Sequence, residues 1–318
     1  TVNRIRRFGQ GMVIATEYAG NLSFLYSHFI HTPTSATRYG AITAGLDFAI
    51  SAHAKDIWTS PGWELAEKLE DAAWCVTCTK GGVEKLQSHA SDRQKVNLVY
   101  HGIDLSRFSS GPNHGKRDGK DPGNPVRFLT VGRAVPKKGI DTLISALAKL
   151  PDDLHWRWTH IGGGPQRGKL VEQASSLGIA DKCEFKGALA QAEVLETYRD
   201  SDLFVLPCRI DETGDRDGLP NVIIEAQSQG LAVLTTEVSG IPELIVNGEN
   251  GIFVEPDNVD QLTVQLANLA GNPDLRLALG NNGEKRVRKL FDHLSTIPEL
   301  ERLLQVSLDR STMERSNK

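Results

Sequence analysis

VRFLTVGRAVPKKGIDTLISALAKL, residues 126–150, is the stretch that decides the fold. It begins with a short apolar run that is typical of a buried strand, and it ends with apolar residues at the spacing of an amphipathic helix. The turn between them is only a few residues long. A strand that passes through a short turn into a helix is the first part of a βαβ unit, so this stretch predicts a parallel sheet covered by helices.

The same alternation is found on both sides of this stretch. Before it, the candidate strands are LSFLYSHF, DFAISA, AWCVTC and VNLVY, and after it they are HWRWTHIG, CEFKG, LFVLPC and LAVLTT. From about Asn272 onward the pattern is helical. We therefore predict an α/β protein with two Rossmann-like domains.

A polar segment divides the chain into two parts. Residues 109–125 are rich in glycine, proline and charge and contain no large apolar side chain, which is typical of a linker. We predict one domain over residues 1–108, a second over residues 126–282, and closing helices over residues 283–318. Ligands of such sheets bind beyond the carboxyl ends of the strands, so the loops that follow strands are the candidate sites.

Composition limits the kind of partner. The 318 residues include 36 Lys and Arg against 40 Asp and Glu in mixed order, a net charge of −4, so nucleic acid is not expected as a partner. No apolar run approaches the roughly 18 residues that a membrane span requires. We expect a cytoplasmic protein.

Two of the four cysteines lie in WCVTC, Trp74–Cys78, which resembles the thioredoxin redox motif. That motif places its first cysteine where a helix begins, whereas the surrounding run is typical of an apolar strand. We therefore predict a structural role for this pair rather than redox chemistry.

The turn inside the opening stretch carries two cations. Arg133 follows the strand directly, and Lys138 precedes Gly139, where the helix is predicted to start. Backbone amides at a helix start favour anions, so the turn is a candidate diphosphate site. A solvated loop with ordinary cations explains the same residues equally well, and this turn alone leaves both interpretations open.

Two further loops follow predicted strands. Gly162, Gly163 and Gly164 would let the backbone approach a ligand closely, although their spacing fits neither a dinucleotide fingerprint nor a Walker loop. His53 comes directly after the strand DFAISA. A lone histidine is more often structural, but its place at the carboxyl end of a strand shifts the balance toward function.

Glu225 is a carboxylate inside the apolar run of DGLPNVIIEAQSQG, residues 217–230. Pro220 and Gly230 are predicted to bound a helix of roughly ten residues. If the chain from Asp217 stays near helical, the two carboxylates lie about 12 Å apart along the axis. That separation is comparable with the span across a diphosphate from a ribose to a sugar, and spaced carboxylates suit polyhydroxyl ligands.

Taken in order, these motifs resemble the retaining nucleotide-sugar glycosyltransferases of the GT-B architecture, of the exopolysaccharide and colanic acid type. The resemblance is carried by VGRAVPKKGIDTL, HIGGGPQRGKL and DGLPNVIIEAQSQG in the second part, and by SAHAKDIW and VYHGIDLSRF in the first. It implies two Rossmann-like domains that face each other across a cleft. It also implies that residues 1–108 hold only part of the first domain and that residues 283–318 cross back to it.

The resemblance implies a role for each matching position. Arg133 and Lys138 would stabilise the diphosphate as it leaves. Asp217 would bind hydroxyls of the transferred sugar and Glu225 the ribose, while His53 would reach the reaction centre or the acceptor. Backbone atoms at four further positions would contact the donor: Gly163, Gly164, Gly218 and Leu219.

The implied partners are a nucleoside-diphosphate sugar as donor and a saccharide or lipid-linked saccharide as acceptor, with peripheral contact at the inner face of the cell membrane. The implied reaction is a hexosyl transfer that retains the anomeric configuration. No metal or other cofactor is expected, because Arg133, Lys138 and a helix start supply positive charge. The acidic stretch of residues 211–218 has the wrong spacing for a calcium loop.

Two departures from the family pattern keep alternatives open. Asp217 stands where the family usually has Glu, and roughly one hundred residues of an ordinary first domain are not found. A donor-binding remnant or partner subunit without independent catalysis is therefore an alternative, and so is a GT-B sugar-nucleotide epimerase.

Overall fold

The structure, a computed structural model, describes residues 2–18, 20, 22–111 and 116–316. Residues 112–115 of the predicted linker lie outside the described residues. The chain forms two compact units. Unit 1 comprises Thr1–Gly102, Thr213–Gly218 and Leu294–Lys318, and unit 2 comprises Ile103–Glu212 and Leu219–His293. The domain bounds expected from the sequence stay predictions.

The described residues contain ten strands and thirteen α-helices. The strands are β1 (Phe24–His28), β2 (Asp47–Ala52), β3 (Cys75–Thr77), β4 (Val96–Leu98), β5 (Val126–Val131), β6 (Trp156–Ile161), β7 (Cys183–Gly187), β8 (Leu203–Leu206), β9 (Ala232–Thr236) and β10 (Ile252–Val254). The helices are α1 (Val2–Val13), α2 (Thr32–Ala44), α3 (Ala54–Thr59), α4 (Gly62–Asp71), α5 (Lys80–Gln87), α6 (Ile140–Leu147), α7 (Arg167–Ser176), α8 (Gln191–Asp200), α9 (Asn221–Ser228), α10 (Ile241–Leu244), α11 (Val259–Gly271), α12 (Pro273–Leu290) and α13 (His293–Ser316).

Unit 1 is built on a four-stranded parallel sheet of order β1-β2-β3-β4. The register pairs Ala52 at the end of β2 with Thr77 at the end of β3, and Thr77 with Leu98 at the end of β4. His28 at the end of β1 pairs with Ser51. The carboxyl ends of all four strands therefore lie side by side, one strand spacing apart.

The last helix, α13, packs into the core of unit 1. Leu303 lies among Trp74 and Val76 in one hydrophobic cluster. The indole Nε1 of Trp74 donates a hydrogen bond of 2.8 Å to Ser307 Oγ. This packing joins α13 to β3, a strand more than 200 positions earlier in the sequence.

Unit 2 has a six-stranded parallel sheet of order β10-β9-β8-β5-β6-β7. The chain moves outward in one direction from β5 and then returns to place β8 on the other side of β5. This is the Rossmann strand order, and its reversal point between β5 and β8 is where such sheets bind ligands. The strands are apolar and largely buried because helices cover the sheet, and the core extends over Trp158, Leu143 and Leu234.

All nine predicted strands are confirmed, and β2 and β7 have the predicted bounds. The tenth, β10, was not predicted. Cys75 lies inside β3, as the strand interpretation of WCVTC requires, and burial raises the pKa of its thiol. Within the described part of the chain, no helix is long and apolar enough to cross a membrane.

Candidate functional site

Glycines fix the loops that follow β5 and β6. A Cβ atom on Gly162 would lie 2.0 Å from the carbonyl oxygen of Gly132, and one on Gly164 would lie 2.6 Å from that of Ala134. Both glycines have positive φ, so no other residue fits either position without displacing the backbone. Ala134 N–H in turn donates to Gly163 O at 2.9 Å. Close backbone packing and a backbone hydrogen bond therefore hold the two loops together, and the His160 ring adds a hydrogen bond of 3.0 Å to Gly132 O.

Lys138 is placed beside this pair of loops. It ends a short 3₁₀ turn, and Gly139 follows with φ of 64°, so close to β8 that an added Cβ would lie 2.0 Å from Pro207 O. The side chain of Lys138 is buried and runs along Gly132, whose added Cβ would lie 3.8 Å from Nζ. Arg133, next in the chain to Gly132, is exposed. Unit 2 thus brings Arg133 and Lys138 to the glycine loops.

Glu225 lies on α9, half-buried. The hydroxyl of Tyr198, a fully buried residue, donates a hydrogen bond of 3.1 Å to Glu225 Oε2. Burial raises the pKa of Glu225, and the Tyr198 hydrogen bond partly opposes that shift. The carboxylate inside the apolar run is therefore held by a buried tyrosine of unit 2.

The predicted relation between Asp217 and Glu225 is wrong in its premise. The helix begins at Asn221 with Pro220 as its N-cap, and residues 217–220 are not helical. The separation of about 12 Å assumed helical rise over the whole interval. Asp217 and Gly218 belong to unit 1, whereas Leu219 and Glu225 belong to unit 2.

The segment that carries Asp217 is anchored within unit 1 on both sides. The guanidinium of Arg216 lies 4.2 Å from the centre of the Trp58 ring, a cation–π contact. A Cβ atom on Gly218 would lie 3.6 Å from Cys78 Sγ, so the backbone of Gly218 packs over the end of β3. Asp217 is half-buried between these two anchors.

His53 begins α3 directly after β2. Its backbone N–H donates to Asp56 Oδ1 at 3.0 Å, and the backbone N–H of Ile30 donates to the other oxygen of the same carboxylate. Asp56 is buried, and burial raises its pKa to about 6, although the two backbone donors oppose the shift. One buried carboxylate therefore ties together the loops after β1 and β2.

The ring of His53 lies in an aromatic cluster. The ring centres of Phe29, His101 and His28 are 4.8, 5.2 and 6.0 Å away. Burial, followed by the neighbouring His101 and His28, lowers the pKa of His53 to about 4. The imidazole is therefore neutral near pH 7, with one ring nitrogen able to accept a proton or a hydrogen bond.

Phe29 adopts a backbone conformation that is uncommon for a bulky residue, with φ of 73°. Its N–H donates to Ser51 O at 2.8 Å. The following residue, Ile30, donates its N–H to Asp56, and its carbonyl oxygen accepts a hydrogen bond of 2.6 Å from the buried ammonium of Lys68. Phe29 is 46% exposed. Strained residues that the surroundings hold in place are frequent at functional sites.

The profile of the family described as "Glycosyl transferases group 1" matches residues 115–286, more than half of the chain. This chain belongs to the glycosyl transferases group 1 family. The matched range contains Arg133, Lys138, both glycine loops and Glu225.

Two curated relatives of this group 1 chain illustrate the sequence similarity. WcaL of Salmonella typhimurium, named as a colanic acid biosynthesis glycosyltransferase, is 28% identical over 223 residues, which are 70% of this chain and 53% of WcaL. A Mycolicibacterium smegmatis protein named as a GDP-mannose-dependent alpha-(1-6)-phosphatidylinositol monomannoside mannosyltransferase is 33% identical over 189 residues, 57% of this chain and 49% of that protein. The chain thus spans about half the length of the curated relatives it matches.

Solved structures agree with the group 1 assignment at the level of the fold. Anabaena HepE, solved with UDP and glucose, has a TM-score of 0.79 at 18% identity and covers 93% of this chain and 80% of HepE. A glycosyltransferase from Rickettsia africae has a TM-score of 0.77 at 16% identity and covers 95% of this chain and 81% of its own. The fold, α/β with two parallel sheets, is that of GT-B glycosyltransferases.

In this group 1 chain, the sequence motifs predict the cations and glycines of unit 2 but not the neighbours of His53. His28, Cys78 and His101 each lie at the end of a strand of unit 1 or one to three residues after it. Parallel strands bring such positions to one edge of a sheet, so the rule that directed attention to His53 would have found all of them.

Proposed function

We propose that this chain is a glycosyltransferase, or the main part of one, that moves a hexosyl group from a nucleoside-diphosphate sugar to a saccharide or lipid-linked saccharide in polysaccharide biosynthesis. The observation that carries the proposal is the position of Arg133 and Lys138 beside the glycine loops at the strand-order reversal of unit 2. Cations and backbone amides at that point suit a diphosphate.

The donor half of the proposal assigns the diphosphate to Arg133 and Lys138. Lys138 is buried, so its attraction to a phosphate oxygen is less weakened by water than that of a surface lysine. Gly163 has open space where a side chain would be, so a ligand can approach the backbone there and at Gly164. The names of HepE with UDP and of the GDP-mannose-dependent mannosyltransferase support a nucleotide sugar as the class of donor.

The sugar and ribose are assigned to carboxylates. Glu225 would bind the ribose hydroxyls, and Asp217 with the backbone of Gly218 and Leu219 would bind the transferred sugar. Asp217 is one methylene shorter than the Glu usual in the family, so its reach toward the sugar hydroxyls differs.

The acceptor is assigned to His53, whose neutral ring can accept a hydrogen bond from the attacking hydroxyl. The bond from the anomeric carbon to the phosphate oxygen breaks, and the bond to the acceptor oxygen forms on the same face, which retains configuration. The acceptor proton passes to the departing phosphate. The charge on the leaving diphosphate is neutralised by Arg133 and Lys138, so no metal is proposed for this step.

Calorimetry with UDP-, GDP- and ADP-sugars tests the donor assignment. We expect one nucleotide class to bind the wild type and the double substitution Arg133→Ala with Lys138→Ala to abolish measurable binding. Lys149→Ala, which removes an exposed cation of unit 2 that pairs with Asp260, is the matched control and should bind normally. Binding to none of the donors, or undiminished binding by the double variant, would refute the diphosphate site.

Transfer is tested separately with radiolabelled donor and oligosaccharide acceptors, and the anomeric configuration of the product is read by NMR. Product with retained configuration in the presence of a chelator is expected. Donor binding without transfer would instead favour a donor-binding partner subunit. The cytoplasmic location and the peripheral membrane contact belong to the same proposal, and flotation with vesicles of anionic lipid tests the contact.

A further inference from the structure

Unit 1 places one residue with a metal-binding side chain near the carboxyl end of each strand of its sheet. His28 ends β1, His53 follows β2, Cys78 follows β3, and His101 comes three residues after β4. The strands are parallel neighbours in that order, about 4.8 Å apart. The topology therefore lines up an imidazole, a second imidazole, a thiol and a third imidazole along one edge.

The middle of this row is compact. Ligand atoms of His53, Cys78 and His101 all lie within 4.8 Å of one another. A tetrahedral zinc site has bond lengths of about 2.0 to 2.3 Å and so donor separations of about 3.3 to 3.7 Å, which these side chains reach by moving roughly 1 Å.

The surroundings suit a soft transition metal rather than a hard cation. Two imidazoles and a thiol are ligands that zinc, cobalt and copper prefer, whereas calcium and magnesium require oxygen ligands. Cys78 is buried under Gly218, and His101 is exposed, which gives an ion a route from solvent.

We propose that His53, Cys78 and His101 form a binding site for one transition-metal ion of the zinc class, with a fourth position left to water. The Cys78 thiol loses its proton to solvent when the metal–sulfur bond forms. Three protein ligands and one open position are typical of exchangeable or reactive zinc rather than of closed structural sites.

An ion bound here would occupy a ring nitrogen of His53. Its expected consequence is inhibition of glycosyl transfer, and that consequence, unlike the site itself, rests on the proposed function. The ion would be separate from the charge that Arg133 and Lys138 supply to the donor in unit 2.

The test uses the untagged chain under a thiol reductant, with zinc alone as the probe. Competition with a chromogenic chelator should give one zinc per chain. Cys78→Ser and His101→Gln should each weaken zinc binding by at least about tenfold, the size of effect that even outer-shell changes have on metal sites. His101 is exposed, so its variant keeps the test informative even if Cys78→Ser fails to fold.

Cobalt gives an independent readout. Cobalt-loaded protein should show visible bands of a four-coordinate ion and a thiolate charge-transfer band, and Cys78→Ser should lose the latter. The matched controls are Cys183→Ser, a thiol of unit 2, and His89→Gln, a histidine of unit 1 outside the row, and both should behave as the wild type. The proposal is overturned if the wild type binds no stoichiometric zinc, or if zinc binding is the same in Cys78→Ser and His101→Gln.

Activity separates this proposal from the proposed function. Zinc should inhibit transfer by the wild type and spare His101→Gln. If zinc binds as predicted and transfer is unchanged, the metal site stands and the role assigned to His53 fails.

Discussion

The two sheets end in loops that are built by different means. In unit 2 the loops after β5 and β6 are joined through backbone, with Gly162 and Gly164 packed against carbonyl oxygens where no side chain fits. In unit 1 the loops after β1 and β2 are joined by the side chain of Asp56, which accepts from a backbone amide of each loop, and Lys68 on α4 donates to a carbonyl of the first loop. The same strand architecture thus supports two methods of loop construction.

The difference decides which chemistry each edge can offer. Where the backbone joins the loops, the cationic side chains near the strand reversal are available to bind an anion, as we propose for Arg133 and Lys138. A loop joined by buried side chains concentrates titratable groups where desolvation keeps imidazoles neutral, as at His53. We infer that unit 2 is suited to a diphosphate and unit 1 to hydroxyls or a soft metal ion.

The largest loss of unfolding free energy is expected for a substitution at a glycine that packs against the backbone of unit 2. Gly162→Ala should cost at least about 3 kcal/mol of unfolding free energy, because its Cβ would overlap a carbonyl oxygen and its φ is 144°. Urea unfolding followed by tryptophan fluorescence measures it. Gly163→Ala, whose Cβ has no neighbour within 4 Å, is the matched control. Equal losses in both variants would contradict the backbone-built description.

The corresponding challenge in unit 1 is Asp56→Ala. It leaves the amides of Ile30 and His53 without their carboxylate, and it should cost about 2 to 4 kcal/mol. Asp47→Ala removes an exposed carboxylate at the start of β2 and should change the unfolding free energy by less than about 0.5 kcal/mol. If Asp56→Ala were as mild as Asp47→Ala, side chains would not be what joins these loops.

Ligand binding sharpens the contrast between the units. Lys138→Ala should weaken binding of UDP, or of whichever nucleotide diphosphate the donor survey selects, by about 1.5 to 3 kcal/mol, the usual contribution of a hydrogen bond to a charged group. His53→Ala should leave that affinity unchanged, since the nucleotide is assigned to unit 2. Calorimetry on both variants measures the two affinities. A comparable loss of affinity in each variant would contradict the assignment of the nucleotide to unit 2.

The smallest effect is expected at Glu225. Burial raises its pKa in the folded protein, so ionisation of Glu225 removes stability as pH rises from the unfolded pKa to the folded one. Glu225→Gln keeps an oxygen for Tyr198 and should be more stable than the wild type at pH 7, by less than about 1 kcal/mol. Melting curves should show this gain disappear as pH falls below the unfolded carboxyl pKa of about 4.3. A gain that persists at low pH would assign it to another cause.

Most strands and helices could be predicted from the sequence because they depend on the local spacing of apolar residues. The strand and helix of the opening stretch follow from spacing alone, and Gly139 marks their junction in both sequence and structure. The turn with Arg133 and Lys138 was found because it lies between two such elements. Among the described strands, only β10 was not predicted.

What the sequence did not reveal depends on distant pairs. The support of Glu225 by Tyr198 spans 27 positions, and the row of His53, Cys78 and His101 requires three strands in register. The interval from Asp217 to Glu225 was misjudged for a local reason: α9 begins only after Pro220, and residues 217–220 before it are not helical.

The hydrogen bond from Trp74 to Ser307 joins residues 233 positions apart. During synthesis, residues 103–292 leave the ribosome before α13 is available to cover Trp74. Unit 2 can therefore complete its sheet before α13 packs on unit 1. Closing the long chain between Trp74 and Ser307 costs conformational entropy, and this slow step belongs to the folding of unit 1. Trp74 and Val76 are thus expected to acquire their final surroundings at the end of folding, after the loops of Arg133 and Lys138 already exist.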